Sequence, residues 1–136
     1  NKAAAGFPIV FSFYWDQSPQ ARAWADRFKK IHGKLPTDMQ ANVYSAVLHY
    51  LKSVKAASTS DTKAVLAKMH EMPVNDFFTS NARIREDGRL MREINYGTVK
   101  APEAMKNKDD LLTLVKKFSG EEAFLPRALS ECKLLK

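Results

Sequence analysis

Residues 8–24 read PIVFSFYWDQSPQARAW, and this stretch decides the fold class. Pro8 to Trp15 is rich in β-branched and aromatic residues, with Ser12 as its one polar break. Such a run predicts a strand buried on both faces, the type found in parallel sheets. Asp16-Gln17 closes it. Ser18-Pro19 then opens a helix, because Ser is a favoured N-cap and Pro suits the first helical position. Ala21, Trp24, Ala25, Phe28 and Ile31 follow at helical spacing as one apolar stripe. Gly33 supplies a C-cap, and Pro36 stops any continuation. A buried strand feeding a capped helix is an α/β signal.

Working outward, Thr37 or Asp38 caps a second helix. Val43, Val47, Tyr50, Leu51 and Val54 form its expected buried stripe, with Lys52 and Lys55 off it. Ser58 to Asp61 is a polar break, and Ser60 is the expected cap of a shorter helix with Val65, Leu66 and Met69 inward. Pro73 ends that pattern. Beyond it, Val74 to Phe78 is short and aromatic, and Asn81 to Arg85 is short and alternating. Asp87-Gly88 is a hairpin turn, since Gly tolerates positive φ. Leu90, Arg92, Ile94, Tyr96 and Thr98 alternate on the returning strand. Leu111 to Phe118 fits a short helix or a strand about equally. Gly120 to Lys136 reads as a turn, one helical turn and a tail. The order is β-α-α-α followed by a β-rich section, divided at Pro73 into residues 1–73 and 74–136.

Composition narrows the function classes. The chain has 136 residues, 45% hydrophobic and 27% charged, which excludes intrinsic disorder. Its single cysteine, Cys132, excludes a disulfide scaffold. No apolar run approaches the roughly 20 residues of a membrane span. The formal charge of +7 keeps a small basic nucleic-acid module as the alternative function. Such modules concentrate cations on one face with interleaved aromatics. Here the densest cluster, Arg27, Lys29, Lys30 and Lys34, falls late in a helix, where cations complement the helix dipole. It reads as a solvated helix end, so no nucleic-acid partner is expected.

Catalytic signatures do not emerge. The five glycines are dispersed and form no phosphate-cradling loop. His32, His49 and His70 lack the close ligand pair of zinc sites. Asp109-Asp110 and Glu121-Glu122 are adjacent, whereas catalytic carboxylates converge across a cleft. Cys132 has no base beside it in sequence. No enzyme activity, cofactor or metal is expected. The aromatic cluster is more informative. In open α/β sheets, ligands sit beyond the carboxyl ends of strands, which is where Tyr14 and Trp15 fall. Each joins a large apolar body to a polar atom, a combination suited to a partly apolar small molecule. Phe11 and Phe13 read as core filling.

Four segments carry a resemblance. SFYWDQSPQARAWADRF (12–28), PTDMQANVYSAVLHYLKSVKAA (36–57), MPVNDFFTSNARIREDGRL (72–90) and GEEAFLPRALSECKLLK (120–136) resemble periplasmic solute-binding proteins of ABC importers. The nearest group is the Leu/Ile/Val-binding family of type I fold, including relatives that take aromatic acids. The resemblance implies a partial type I fold. The chain would be the last third of a two-lobed protein, in keeping with its start at Asn1 without a signal pattern. Residues 1–73 would belong to the N-terminal lobe, and 74–136 would hold the hairpin, a hinge-crossing strand and the C-terminal tail. Leu111 to Phe118 then becomes a strand. Lobes cut in this way leave exposed sheet edges, which invite a fragment dimer.

The implied function is capture without catalysis. A small carboxylate, such as a branched-chain amino acid or an aromatic acid, binds between the lobes. The lobes close by hinge motion, and the closed form docks on a membrane permease. The implied location is the periplasm. Carried over by position, Tyr14, Trp15, Met39, Gln40 and Asn42 would line the cleft. The first two would cover an apolar or aromatic ligand group, and Met39 would add adaptable apolar contact. Gln40 and Asn42 would hydrogen-bond a polar end. The family's carboxylate- and amine-holding residues fall outside this chain, so alone it should bind ligand weakly or not at all.

Overall fold

The computed structural model describes residues 2–133. Strand β1 spans Pro8–Phe11, and its neighbour is not parallel. It pairs antiparallel with β4 (Ile94–Val99), in a register that sets Ile9 opposite Gly97 and Phe11 opposite Asn95. Strand β5 (Leu112–Phe118) lies antiparallel on the far side of β4, giving a three-stranded sheet of order β1-β4-β5. The doubly buried parallel strand expected from PIVFSFYW is therefore corrected. Only Phe11 of β1 is buried: Pro8, Ile9 and Val10 leave both faces of the strand exposed, and residues 12–15 have already left it.

Helix α1 (Pro19–His32) begins and ends as its capping residues dictate. Ser18 Oγ accepts the Ala21 N–H at 3.1 Å, and Gly33 closes the helix at φ +84°. Ala21, Trp24 and Ala25 are buried and Phe28 half-buried, but Ile31 is exposed. Helix α2 (Asp38–Ala57) starts at a reciprocal capping box between Thr37 and Gln40. Its expected stripe is reversed. Ala41, Ser45, His49 and Ser53 face inward, whereas Val43, Val47, Tyr50 and Leu51 face out and Val54 is half-buried. The small residues win the inner face because they allow close approach to the helix that follows and to the segment after Pro73. Ser45 Oγ donates to Asp76 Oδ2, and His49 Nε2 lies 3.0 Å from the Met69 carbonyl. Helix α3 (Thr62–Glu71) is capped by Asp61 and not by Ser60, since Asp61 Oδ1 reaches the Ala64 N–H at 3.0 Å. Val65 is buried there, while Leu66 is exposed.

Beyond Pro73 the chain turns more than it extends. Val74 makes a single bridge with Ala82, and Asp76 Oδ1 accepts the N–H groups of Phe78 and Thr79. The Asp87-Gly88 hairpin forms as expected, joining β2 (Arg83–Ile84) to β3 (Leu90–Met91), with Gly88 at φ +80°. The single returning strand is corrected to two, because Arg92-Glu93 interrupts it and passes it from the hairpin into the main sheet. On β4 the buried residues are Asn95 and Gly97 instead of the alternating Ile94, Tyr96 and Thr98. Gly97 sits beside the Thr113 carbonyl and the Phe11 ring, where a Cβ would have no room. Helix α4 (Gly120–Ala123) follows β5 and is capped by Ser119 and Glu122. The tail beyond residue 133 lies outside the described residues.

The core is aromatic and sits at the exit of β1. Phe13 meets Trp24, Phe77 and Phe78 edge-on, with ring centroids 5.5, 5.6 and 5.7 Å away. Trp24 and Phe77 stack at 4.0 Å with their planes 3° apart. Edge-to-face and offset arrangements of this kind add stability beyond area burial alone. Among the described residues no helix is long and apolar enough to cross a membrane.

Candidate functional site

The candidate residues lie where β1 ends and α2 begins. Asp38, the first residue of α2, ties the two together. Its Oδ1 accepts the Phe13 N–H at 2.7 Å and the Ser12 hydroxyl. A carboxylate also favours the positive end of a helix. Asn42, one turn on, donates from Nδ2 to Ser12 Oγ and to the Asp38 carbonyl, both at 2.8 Å. Its Oδ1 accepts Arg92 Nη2 at 3.1 Å. Met39 rides on this junction and is 73% exposed. Gln40 is half-buried, and its Oε1 accepts the Thr37 N–H at 2.9 Å as part of the capping box.

Tyr14 and Trp15 turn the other way, towards residues 109–112. The Tyr14 hydroxyl accepts the Leu111 and Leu112 N–H groups at 3.0 and 3.4 Å and donates to the Asp109 carbonyl at 3.2 Å. Trp15 Nε1 donates to the same carbonyl at 3.0 Å. The two rings sit 5.8 Å apart. Burial raises the Tyr14 phenol above its ordinary value, and the backbone donors only partly offset this. The loop they hold is bolted from its other side by Asp110. That buried carboxylate accepts Lys100 Nζ at 2.5 Å and the Lys106 N–H at 3.0 Å. The Lys100 hydrogen bond holds its pKa below the usual carboxylate value.

The structure thus joins Asn42 to the β1 exit and sets Met39 and Gln40 beside it, while Tyr14 and Trp15 commit their polar atoms to the 109–112 loop. Asn42 also lines a largely apolar cavity of about 290 Å³ with His49, Met69, Val74 and Leu90. A second cavity of about 410 Å³ opens between the start of α1, the 76–80 loop and the ends of β4 and β5. Ser12, Asp38 and Arg92 complete the junction and were not singled out from sequence as site residues. Asp38 carried a local signal, as a helix cap. Arg92 carried none, because its partner is 50 positions away. Among the described residues there is no group of three side chains suited to holding a metal ion.

Comparison with known proteins agrees with this architecture. A family model described as periplasmic binding protein matches residues 1–107, so the chain belongs to that family. No curated protein matches. Among solved structures, a periplasmic binding protein from Burkholderia mallei is 32% identical with a TM-score of 0.95. A branched-chain amino acid ABC transporter periplasmic ligand-binding protein from Burkholderia xenovorans is 36% identical with a TM-score of 0.94. Each match covers 99% of this chain but 36% of the other, so the chain spans about a third of their length. A solute-binding protein of an ABC transporter from Rhodopseudomonas palustris, solved with 3,4-dihydroxybenzoic acid, shares the fold. It is 18% identical, with a TM-score of 0.73 over 88% of this chain and 32% of that one. The chain has part of the type I periplasmic-binding-protein fold.

Proposed function

We propose that this chain is part of the extracytoplasmic solute-binding component of an ABC importer. It captures a small carboxylate, a branched-chain amino acid or an aromatic acid, between two lobes. The observation that carries this reading is the β1–α2 junction. There a helix start is held rigidly against a strand exit, and the exposed side chain of Met39 projects from it. Rigid polar framing beneath an exposed, adaptable apolar side chain suits a partly apolar small molecule. The two ligand classes draw support from two relatives: the branched-chain amino acid transporter protein of Burkholderia xenovorans, and the Rhodopseudomonas palustris protein that holds 3,4-dihydroxybenzoic acid. Residues 1–73 belong to the N-terminal lobe, 74–136 form the hinge section and tail, and the closed protein docks on a permease in the membrane. Tyr14, Trp15, Met39, Gln40 and Asn42 belong to the cleft wall. Tyr14 and Trp15 contribute ring surface and hold the neighbouring loop.

Calorimetric titration of the longer protein that contains this chain tests the reading, with L-leucine, L-valine, benzoate and 3,4-dihydroxybenzoate as probes. Saturable binding of at least one is expected. Failure of all four, in a protein that melts cooperatively, overturns it.

A further inference from the structure

Arg92 sits at the break between β3 and β4 and is 8% exposed. Its guanidinium carbon lies 4.5 Å from the centre of the Phe78 ring, and Nη2 donates to Asn42 Oδ1. Nη1 is buried and has no hydrogen-bond partner among the described residues. A buried unpaired donor is costly, so its retention calls for an explanation. One explanation is an anchor for a ligand anion. Two carboxylates already act on this cation. Burial pulls the Arg92 pKa down, while the carboxylates of Asp38 and Asp76 act in the opposite direction, so one cation already answers to two negative groups.

The geometry assigns a different task. An asparagine side chain fits a site in two orientations related by exchanging its oxygen and nitrogen. A guanidinium only donates, so Arg92 admits a single orientation, with Oδ1 towards itself and Nδ2 towards Ser12 and Asp38. Ser12 Oγ, having accepted from Asn42, donates to Asp38 Oδ1, which also takes the Phe13 N–H. Donors and acceptors are therefore ordered in one direction from Arg92 to the exit of β1. We infer that Arg92 is the positioning residue of the ligand-contacting start of α2, acting through the side-chain amide of Asn42. This rests on the solute-binding reading proposed above.

The test uses the longer protein and two readouts. Calorimetry with L-leucine and benzoate compares wild type with R92M, R92K, N42L and the double variant R92M/N42L. For whichever probe binds, R92M and N42L should each weaken affinity about tenfold, as expected for losing a hydrogen bond to a charged group. The double variant should be no weaker than the worse single one, because both break the same link. R92K keeps a cationic donor but loses the planar stacking on Phe78, so its affinity should fall between those of R92M and wild type. The second readout needs no ligand. With selectively labelled asparagine, the Asn42 side-chain amide protons should be protected from exchange in wild type and lose about tenfold of that protection in R92M, and most of it should return in R92K. Additive losses in the double variant, or an amide signal unmoved in R92M, overturn the inference. If R92M does not fold, R92K and N42L carry the comparison: an Asn42 amide unprotected in wild type, or an affinity unchanged in N42L, overturns it. If wild type binds neither of these nor the other two probes named above, the solute reading fails while the amide readout still decides the role of Arg92.

Discussion

Helices α1 and α2 lie side by side yet bury opposite kinds of surface. α1 turns Trp24 and two alanines inward, in the usual amphipathic manner. α2 turns Ala41, Ser45, His49 and Ser53 inward and leaves Val43, Val47, Tyr50 and Leu51 exposed. The difference teaches that a helix face is chosen by what lies against it. α1 meets an aromatic floor with room for an indole ring. Beyond Ala41, which joins that aromatic core, α2 meets backbone and polar groups of the 69–76 region, where small side chains approach closely and the polar ones find partners. Its apolar stripe is left over, in a chain that spans about a third of its relatives' length. We expect the stripe to be covered in the longer protein.

The contrast can be broken by mutation. Trp24→Ala should cost about 3–5 kcal/mol in urea denaturation, as expected for an aromatic removed from a packed core. Leu51→Ala should change the 136-residue chain by less than about 0.5 kcal/mol, the usual range for an exposed site. In the longer protein the same substitution should cost about 2 kcal/mol or more, if the stripe is covered there. Equal effects of Trp24→Ala and Leu51→Ala in the short chain would end the contrast. Gly97→Ala comes next, at about 1–3 kcal/mol, because its new Cβ would overlap the Thr113 carbonyl and press on the Phe11 ring.

Two smaller effects sharpen it. The Arg85 side-chain hydrogen bond lowers the Asp87 carboxyl from 3.8 to about 2. A depressed folded-state pKa contributes stability that is present above the ordinary value and lost as pH falls towards about 2. Thermal melts between those limits should show the loss, and Asp87→Asn should flatten that part of the profile. Last, β5 is a sheet edge with Leu114 and Val115 exposed. Light scattering of the 136-residue chain should show concentration-dependent dimers that Val115→Lys reduces, since a charge on an edge strand discourages pairing.

Local chemistry was legible in the sequence wherever a residue acts on near neighbours. Ser18 and Gly33 bound α1, Thr37 starts α2, and Asp87-Gly88 turns the hairpin. The strand at Leu112–Phe118 emerged only once the family resemblance had broken a tie between two periodicities. What stayed hidden depends on distant partners. The hydroxyl of Tyr14 is held by residues 97 and 98 positions on, and nothing in a run of apolar letters announces that. The outward stripe of α2 misled for the same reason, because apolar spacing marks a face to be buried without saying which partner buries it.

The indole of Trp15 has a consequence of an optical kind. The chain contains two tryptophans. Trp24 is packed against Phe77 in the aromatic core, whereas Trp15 is half-buried and hydrogen-bonded to the Asp109 carbonyl. Their emission therefore reports two different events. Trp24 follows the integrity of the core, and Trp15 follows the seating of the loop that leads into β5. A Trp24→Phe variant would leave Trp15 as the single tryptophan, its indole hydrogen-bonded to that loop, with no dye attached.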